Sequence, residues 1–243
     1  MSQIEGRRPV LEALRAGREI SELLVAAGSH VSGALAEIAS LADRRRIPVR
    51  ELPRRELESR AETRNPQGVI ALTQTFRYST LDELLDAPVR RSPALYVALD
   101  GVTDPQNLGA LARSAEAAGA AGLIVPKRRA AGVTAAAEKA ASGALEHLRV
   151  AQVTNLVRSI EALQERRIWV IGLDSSGERE LYDVDVARDA VCVVVGGEGA
   201  GLSRLVRERV DEVVSIPMRG RVGSLNASAA GAVAFFEIRR QQR

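Results

Sequence analysis

Five short apolar runs punctuate the chain beyond residue 93: LYVALD (95–100), GLIVP (122–126), RIWVIGLD (167–174), AVCVVVGGE (190–198) and EVVSIPM (212–218). Each is too short for a helix and too continuous for a strand with one wet face, so each reads as a strand buried on both sides. Segments with helical spacing fill the gaps, over 107–119, 134–147, 154–165, 201–209 and 225–240. Alternating strands and helices bury such strands in a parallel sheet with helices on both faces. The expected class is α/β.

Ahead of this lies a smaller alternation. RRPVLEALRAG reads as a helix, SELLVAAG as a strand, VSGALAEIASLADRRR as an amphipathic helix, IPVRELP as a strand, ELESRAETR as a helix and GVIALTQT as a strand. This predicts a small α/β domain over 1–75, a linker with a short LDELLD helix over 76–93, and a larger domain over 94–243. No repeat and no low-complexity tract interrupts the pattern.

Composition narrows the functions. With 46% hydrophobic residues the chain can build a core, which excludes a disordered tail. No apolar stretch reaches the roughly 18 residues a membrane helix needs. MSQIEGRRPV lacks the apolar core of a secretory signal, so a cytoplasmic protein is expected. The single cysteine, Cys192, cannot form an internal disulfide, and no metal site is expected. A net charge of +3 permits a nucleic-acid partner without demanding one. All 34 basic residues except Lys127 and Lys139 are arginine, which suits phosphate contacts and equally suits a GC-rich genome. Aromatics make up only 3%, too few for a base-stacking platform.

Three segments hold the candidate chemistry. DGVTDPQNLGALARSAEAAG (100–119) carries a strand into a helix, with Asn107 at or near the cap and Arg113 less than two turns further on. Its run of Gly and Ala suggests close approach of another backbone. VVVGGEGAGLS (193–203) opens a buried strand into a glycine loop at a strand's carboxyl end, where parallel sheets collect ligands. It is neither a dinucleotide fingerprint, since Leu202 stands where the third glycine belongs, nor a P-loop. Glu198 would repel a phosphate. SIPMRGRVGSLNASAAGAVAFFEIRR (215–240) ends a strand at Met218 and leads through a Gly/Arg loop to a small-residue helix that Ser224 could cap.

Taken in order, N-L-G-x-x-x-R, G-G-E-G-x-G-L-S and I-P-M-x-G-x-V-x-S-L-N-x-S-x-A resemble the three motifs of the SpoU (TrmH-type) RNA ribose 2′-O-methyltransferases. The resemblance runs from Asp100 to Glu237. GRRPVLEAL and NPQGVIAL are similar, more loosely, to the L30e-like substrate-binding domain of that family. Asn65-Pro66 stands where members usually carry a histidine before Gln-Gly.

The resemblance implies a catalytic domain threaded into a deep trefoil knot, against the general rule that chains do not knot. It implies S-adenosylmethionine held by Gly196, Ile216 and Leu225 through backbone groups, with Gly197, Glu198, Met218 and Ser224 nearby. It implies a ribose 2′-hydroxyl as the acceptor, with Asn107, Arg113, Glu198, Ser224 and Asn226 as the catalytic set. The two histidines, His30 and His147, lie outside the motifs. A guanidinium is nearly always protonated, so Arg113 is expected to clamp the ribose-phosphate and stabilise a forming alkoxide. Asn107 and Asn226 would position it and the nucleotide. Arg128, Arg129, Arg219 and Arg221 are candidate RNA phosphate contacts.

A homodimer is the implied assembly, although the alanine-rich helices could equally pack within one chain. The module order most resembles the subgroup acting on a guanosine in the peptidyl-transferase region of 23S ribosomal RNA. A transfer-RNA enzyme, a 23S adenosine enzyme conferring antibiotic resistance, and a non-catalytic ribosome-assembly factor remain alternatives. A nicotinamide oxidoreductase is disfavoured by the missing fingerprint.

Overall fold

The computed structural model describes residues 2–29, 33–199 and 201–243. His30, and the first residues of the amphipathic segment beginning at Val31, lie outside them.

The N-terminal unit is built on a four-stranded sheet. Its strands are β1 (Ser2–Glu5), β2 (Ile20–Ala26), β3 (Val49–Leu52) and β4 (Val69–Thr73), in the order β1-β4-β2-β3. Strand β4 runs antiparallel to both neighbours, and β2 and β3 are parallel. Helices α1 (Arg7–Arg15) and α2 (Ala34–Arg44) bury Val10, Leu14, Leu35 and Ile38 against Ile4, Leu23, Val69 and Ala71. Helix α3 (Arg54–Arg60) covers the other face through Leu57.

Strand β1 has no counterpart in the sequence reading, because SQIE offers a single aliphatic residue to the core. Its Glu5 is fully buried, and its carboxylate accepts from the backbone N–H groups of Glu62 and Thr63. A buried carboxylate is tolerable when it is hydrogen-bonded in this way. Here it fixes the loop before β4.

The segment 76–93 lies along the second sheet. Thr80 and Glu83 form a reciprocal capping box on α4 (Leu81–Leu85), and Leu84 is buried. Ser79 bridges to Ala151.

That second sheet has seven strands: β5 (Leu95–Asp100), β6 (Gly122–Pro126), β7 (Val150–Val153), β8 (Trp169–Leu173), β9 (Arg179–Glu180), β10 (Val191–Gly196) and β11 (Glu212–Ser215). Their order is β7-β6-β5-β10-β8-β11-β9, and every pairing is parallel. One face carries Val97, Leu99, Leu123 and Val193 against α5 (Pro105–Ala117), α6 (Ala135–Ala141) and α9 (Ala227–Gln241). The other carries Tyr96, Ala98, Ile124, Cys192 and Val194 against α4, α7 (Leu156–Glu165) and α8 (Arg204–Arg207). The α/β class with a parallel sheet is therefore correct.

Several boundaries differ from the sequence reading, each for a local reason. Strand β11 ends at Ser215, not Met218, because Pro217 has no N–H to give a ladder. The helix expected over 134–147 breaks where Ser142 (φ 52°) and Gly143 (φ 95°) turn left-handed. The 201–209 helix contracts to 204–207. Strands β7 and β9 are additional and short, β7 (VAQV) partly polar and β9 (Arg179–Glu180) wholly charged.

The small residues of α5 do mark a close approach, and it lies within the chain. A Cβ on Gly109 would stand 2.3 Å from the carbonyl oxygen of Ala137 on α6. One on Gly231 of α9 would stand 2.4 Å from Leu111 of α5.

The two units are joined through a buried ion cluster. Arg18 Nη1 lies 2.7 Å from a carboxylate oxygen of Glu138 and 2.7 Å from one of Glu146. Lys139 donates to Thr63 and to the carbonyl of Asn65. No helix of the described residues is long and apolar enough to cross a membrane.

Candidate active site

Because all seven strands are parallel, the loops after β5, β8, β10 and β11 emerge at one edge of the sheet. Ligands of open α/β folds bind at that edge. The loop after β10 is pressed so tightly that only glycine fits at two positions. A Cβ on Gly196 would lie 2.4 Å from the carbonyl carbon of Gly201, and one on Gly197 would lie 2.2 Å from the carbonyl oxygen of Gly101. Two carboxylates pin the loop's far end: Asp100 accepts from Ser203 N at 2.6 Å, and Asp174 from Leu202 N at 2.9 Å.

A pocket of about 160 Å³ opens here. Gly196, Gly197, Glu198, Ile216, Met218, Ser224 and Leu225, all expected from the sequence, line it together. Leu173, Val195, Ala227 and Ala230 add apolar wall, and Asp174, Ser175, Gly199, Gly201 and Gly223 complete it. Among the described residues, its lining includes two carboxylates and no cation. Bare glycine backbone, an apolar wall and negative charge fit a nucleoside with a positively charged sulfonium. They do not fit a phosphate, which needs donors and positive charge.

At the rim, three of the five expected catalytic residues meet. Asn107 Nδ2 donates to Glu198 Oε1 at 2.8 Å, and Asn226 Nδ2 donates to the same oxygen at 2.5 Å. Asn226 Nδ2 also donates to Asn107 Oδ1 at 3.0 Å. The amide orientations are dictated, because Asn226 Oδ1 accepts from Ser228 N at 2.9 Å as the N-cap of α9. Both asparagines sit in or beside the first turns of long helices, where the helix dipole favours the Glu198 charge.

Two capping expectations are corrected. Asp104 caps α5, accepting from Gln106 N at 2.9 Å, so Asn107 lies inside the first turn and its amide is free to reach Glu198. Asn226, not Ser224, caps α9, and Ser224 instead lines the pocket.

Arg113 is not brought to this cluster. Six residues on an α-helix advance about 9 Å and turn roughly 240° beyond one revolution, which carries it off the Asn107 face. It lines a separate groove with Arg8, Glu12, Arg15, Glu116 and His147, between the N-terminal unit and α5. Arg128, Arg129, Arg219 and Arg221 are all exposed. They lie in the loops after β6 and β11, at the same sheet edge as the pocket.

The sequence reading missed Asp174. Its carboxylate is only 6% exposed and takes a 2.7 Å ion pair from Arg207. Burial alone would raise its pKa, but hydrogen bonds from the Leu202 and Ser176 backbone, with Arg207 beyond, pull it down to about 2. A signal was present, since Asp174 ends an apolar strand just as Asp100 does. By contrast Cys192 is buried mid-strand and its thiol is pushed up by desolvation, so it is inert.

Comparison with known proteins agrees over nearly the whole chain. The model of the SpoU rRNA Methylase family matches residues 94–236, and that for RNA 2′-O ribose methyltransferase substrate binding matches 3–79. A protein of Mycobacterium ulcerans named "Uncharacterized tRNA/rRNA methyltransferase" is 45% identical over 98% of this chain and 76% of its own length. The SpoU methyltransferase AviRb from Streptomyces viridochromogenes, solved in complex with the cofactor AdoMet, superposes with a TM-score of 0.81 at 30% identity. It covers 99% of this chain and 90% of its own. An AdoMet-bound rRNA methyltransferase from Sinorhizobium meliloti gives 0.79 at 27% identity, over 98% of this chain and 87% of its own.

Proposed function

The chain belongs to the SpoU family of RNA methyltransferases, which use S-adenosylmethionine, and from that premise we propose that it methylates a ribose 2′-hydroxyl, on a guanosine in the peptidyl-transferase region of 23S ribosomal RNA. The observation that carries this reading is the Asn107–Glu198–Asn226 cluster at the mouth of a cation-free pocket.

S-adenosylmethionine supplies an electrophilic methyl group on a positively charged sulfur. The protein's part is orientation and charge. Gly196 and Gly197, stripped of side chains, let their backbone approach the nucleoside, while Ile216, Met218 and Leu225 supply apolar contact. Glu198 places negative charge in the wall, complementary to the sulfonium. Asn107 and Asn226 lock Glu198 and offer polar edges at the rim, where Ser224 faces the incoming ribose. Holding the hydroxyl in line with the methyl is the main acceleration available to such a site.

In this reading Arg113 grips the substrate's ribose-phosphate by its guanidinium fork. Within one chain α5 separates it from the Glu198 cluster, which favours a homodimer paired through the catalytic unit. Phe236 of α9, 53% exposed, gives such a pairing an apolar anchor. The deep knot and the L30e-like character of the N-terminal unit belong to the same proposal, as does a cytoplasmic location.

Ribosomal RNA is favoured over transfer RNA because the rRNA methyltransferase from Sinorhizobium meliloti is covered together with this chain's N-terminal unit. The test is methyl transfer from labelled S-adenosylmethionine to separate 23S, 16S and transfer-RNA transcripts and to immature ribosomal particles, with mapping of the modified ribose. Label on one 23S guanosine, abolished by Arg113→Ala, is expected. Label on transfer RNA or on a 23S adenosine overturns the substrate. Absence of label from every RNA and particle leaves a non-catalytic assembly factor.

A further inference from the structure

Asp174 stands at the carboxyl end of β8 and belongs to none of the three motif segments. Its four acceptor sites are all engaged. Oδ1 accepts from Ser176 N at 2.9 Å and from Ser176 Oγ at 2.8 Å. Oδ2 accepts from Leu202 N at 2.9 Å and pairs with Arg207 Nη2 at 2.7 Å. A carboxylate has about four lone-pair positions, so none is left for a ligand hydroxyl.

From this we infer that Asp174 is a positioning residue for the cofactor: it holds the glycine loop in its ligand-binding shape and does not touch the ligand's ribose itself. The inference rests on the reading of this pocket as the S-adenosylmethionine site.

The loop depends on such a hold. Gly197 and Gly201 pair across its base, and Gly199 and Gly201 have φ of 77° and 63°. A loop this rich in glycine has many alternative shapes in the absence of a restraint. Asp174 removes them at two points at once. Through Leu202 N it fixes the loop's far end. Its Oδ2 also rests against the Cα of Gly201, where a Cβ would come within 2.3 Å of it. Because Oδ1 simultaneously ties Ser176, the loop after β8 and the loop after β10 move as one wall. Arg207, from the helix that follows the glycine loop, closes the arrangement with a charge-assisted bond.

Asparagine at this position keeps the shape and loses the symmetry. Its single oxygen can serve Ser176 or Leu202 but not both, and its NH₂ group then faces another donor. Asp174→Asn should weaken S-adenosylhomocysteine binding by about tenfold or more, measured by calorimetry. Arg207→Gln should weaken it less, and Gly201→Ala, which pushes the carboxylate aside, should behave like Asp174→Asn. In turnover, the KM for S-adenosylmethionine should rise while kcat at saturation and RNA affinity stay within about twofold. The melting temperature should move by only a few degrees.

Two outcomes overturn the inference. One is an unchanged affinity in Asp174→Asn. The other is a selective loss of discrimination between S-adenosylhomocysteine and its 2′-deoxyribose and 3′-deoxyribose analogues, which would make the carboxylate a direct ligand contact. Leu225→Trp, at an exposed pocket position, separates this from the pocket assignment. Binding that survives Leu225→Trp removes the cofactor from this pocket and takes the inference with it. Binding lost there but unmoved by Asp174→Asn overturns the role of Asp174 alone.

Discussion

Asn226 caps helix α9 with its side-chain oxygen and, through the other end of the same amide, donates to Glu198 Oε1 at 2.5 Å. One residue thus joins a stability role to an active-site role, and a substitution can separate them. Aspartate caps a helix as well as asparagine does. Asn226→Asp should therefore keep the melting temperature while setting two carboxylates against each other. Activity near pH 7 should fall by about a hundredfold and recover partly as pH drops and the pair takes up a shared proton. A pH–rate profile alongside thermal melts checks both halves; equal loss at all pH values would show that Glu198 need not be held by an amide.

Arg113 is exposed, so its removal should leave stability within about 0.5 kcal/mol. Its effect should fall on chemistry. Arg113→Ala should lower kcat at least about a hundredfold, and Arg113→Lys should recover little because an ammonium lacks the planar fork. Single-turnover rates with saturating RNA read this directly. Near-normal turnover by the lysine variant would sink the role of the guanidinium.

Arg219 and Arg221 lie in the exposed loop after β11. If they track RNA phosphates, replacing both with glutamine should reduce the slope of log K against log salt by about 1.4, from roughly 0.7 per single-strand contact. Affinity titrations at three salt concentrations suffice, and an unaltered slope returns both residues to the solvent.

Glu138 gives stability a predictable pH dependence. Burial raises its pKa from 4.5 to about 7, against the opposing pull of Arg18, with Glu146 and Glu62 adding to the rise. The folded protein therefore holds a proton that the unfolded chain releases above its ordinary pKa. This contribution is full below about pH 4.5 and is lost as pH rises through 7. Glu138→Gln should flatten that part of the stability curve, with the variant gaining on the parent from pH 5 to 8. Melting temperatures across that range decide it; parallel curves would show that Glu138 is charged throughout.

Gly109 tests the helix packing beneath the site. A methyl group there meets the backbone of α6, which cannot swing away as a side chain would. Gly109→Ala should cost about 1–3 kcal/mol despite alanine's better helix propensity, lowering the melting temperature by several degrees. A rise would mean that α6 yields freely.

The legible parts of the fold share one property. Runs such as LYVALD and AVCVVVGGE are apolar along their whole length because both faces of β5 and β10 are buried, so each residue carries the signal. The same holds for Leu35, Ile38 and Ala42 on α2, whose spacing is the trace of one buried helix face. The glycine loop was legible as a ligand floor because it leaves a buried strand at its carboxyl end, where parallel sheets collect ligands. Gly196, Ile216 and Leu225, which the family resemblance pointed to, line one pocket.

What escaped the sequence depends on hydrogen bonding, helix phase or distant contact. Strands β1 and β7 join their sheets through backbone groups that any residue carries, so SQIE and VAQV gave no pattern. Asn107 looked like a cap because every asparagine before a helix does. Asp104 starting α5 earlier is what turns Asn107 toward Glu198 and Arg113 away from it.

The sequence by itself determined the α/β class and the elements whose buried faces are apolar, since these follow from local burial, while its resemblance to the SpoU motifs pointed to pocket residues such as Gly196, Ile216 and Leu225. The tertiary structure decided which side chains work together. Asn107 meets a partner 91 positions away and another 119 away, and Asp174 holds a loop 28 positions downstream. Such pairings are set by how parallel strands bring their carboxyl ends to one edge, and no periodicity along the chain encodes that edge's neighbours.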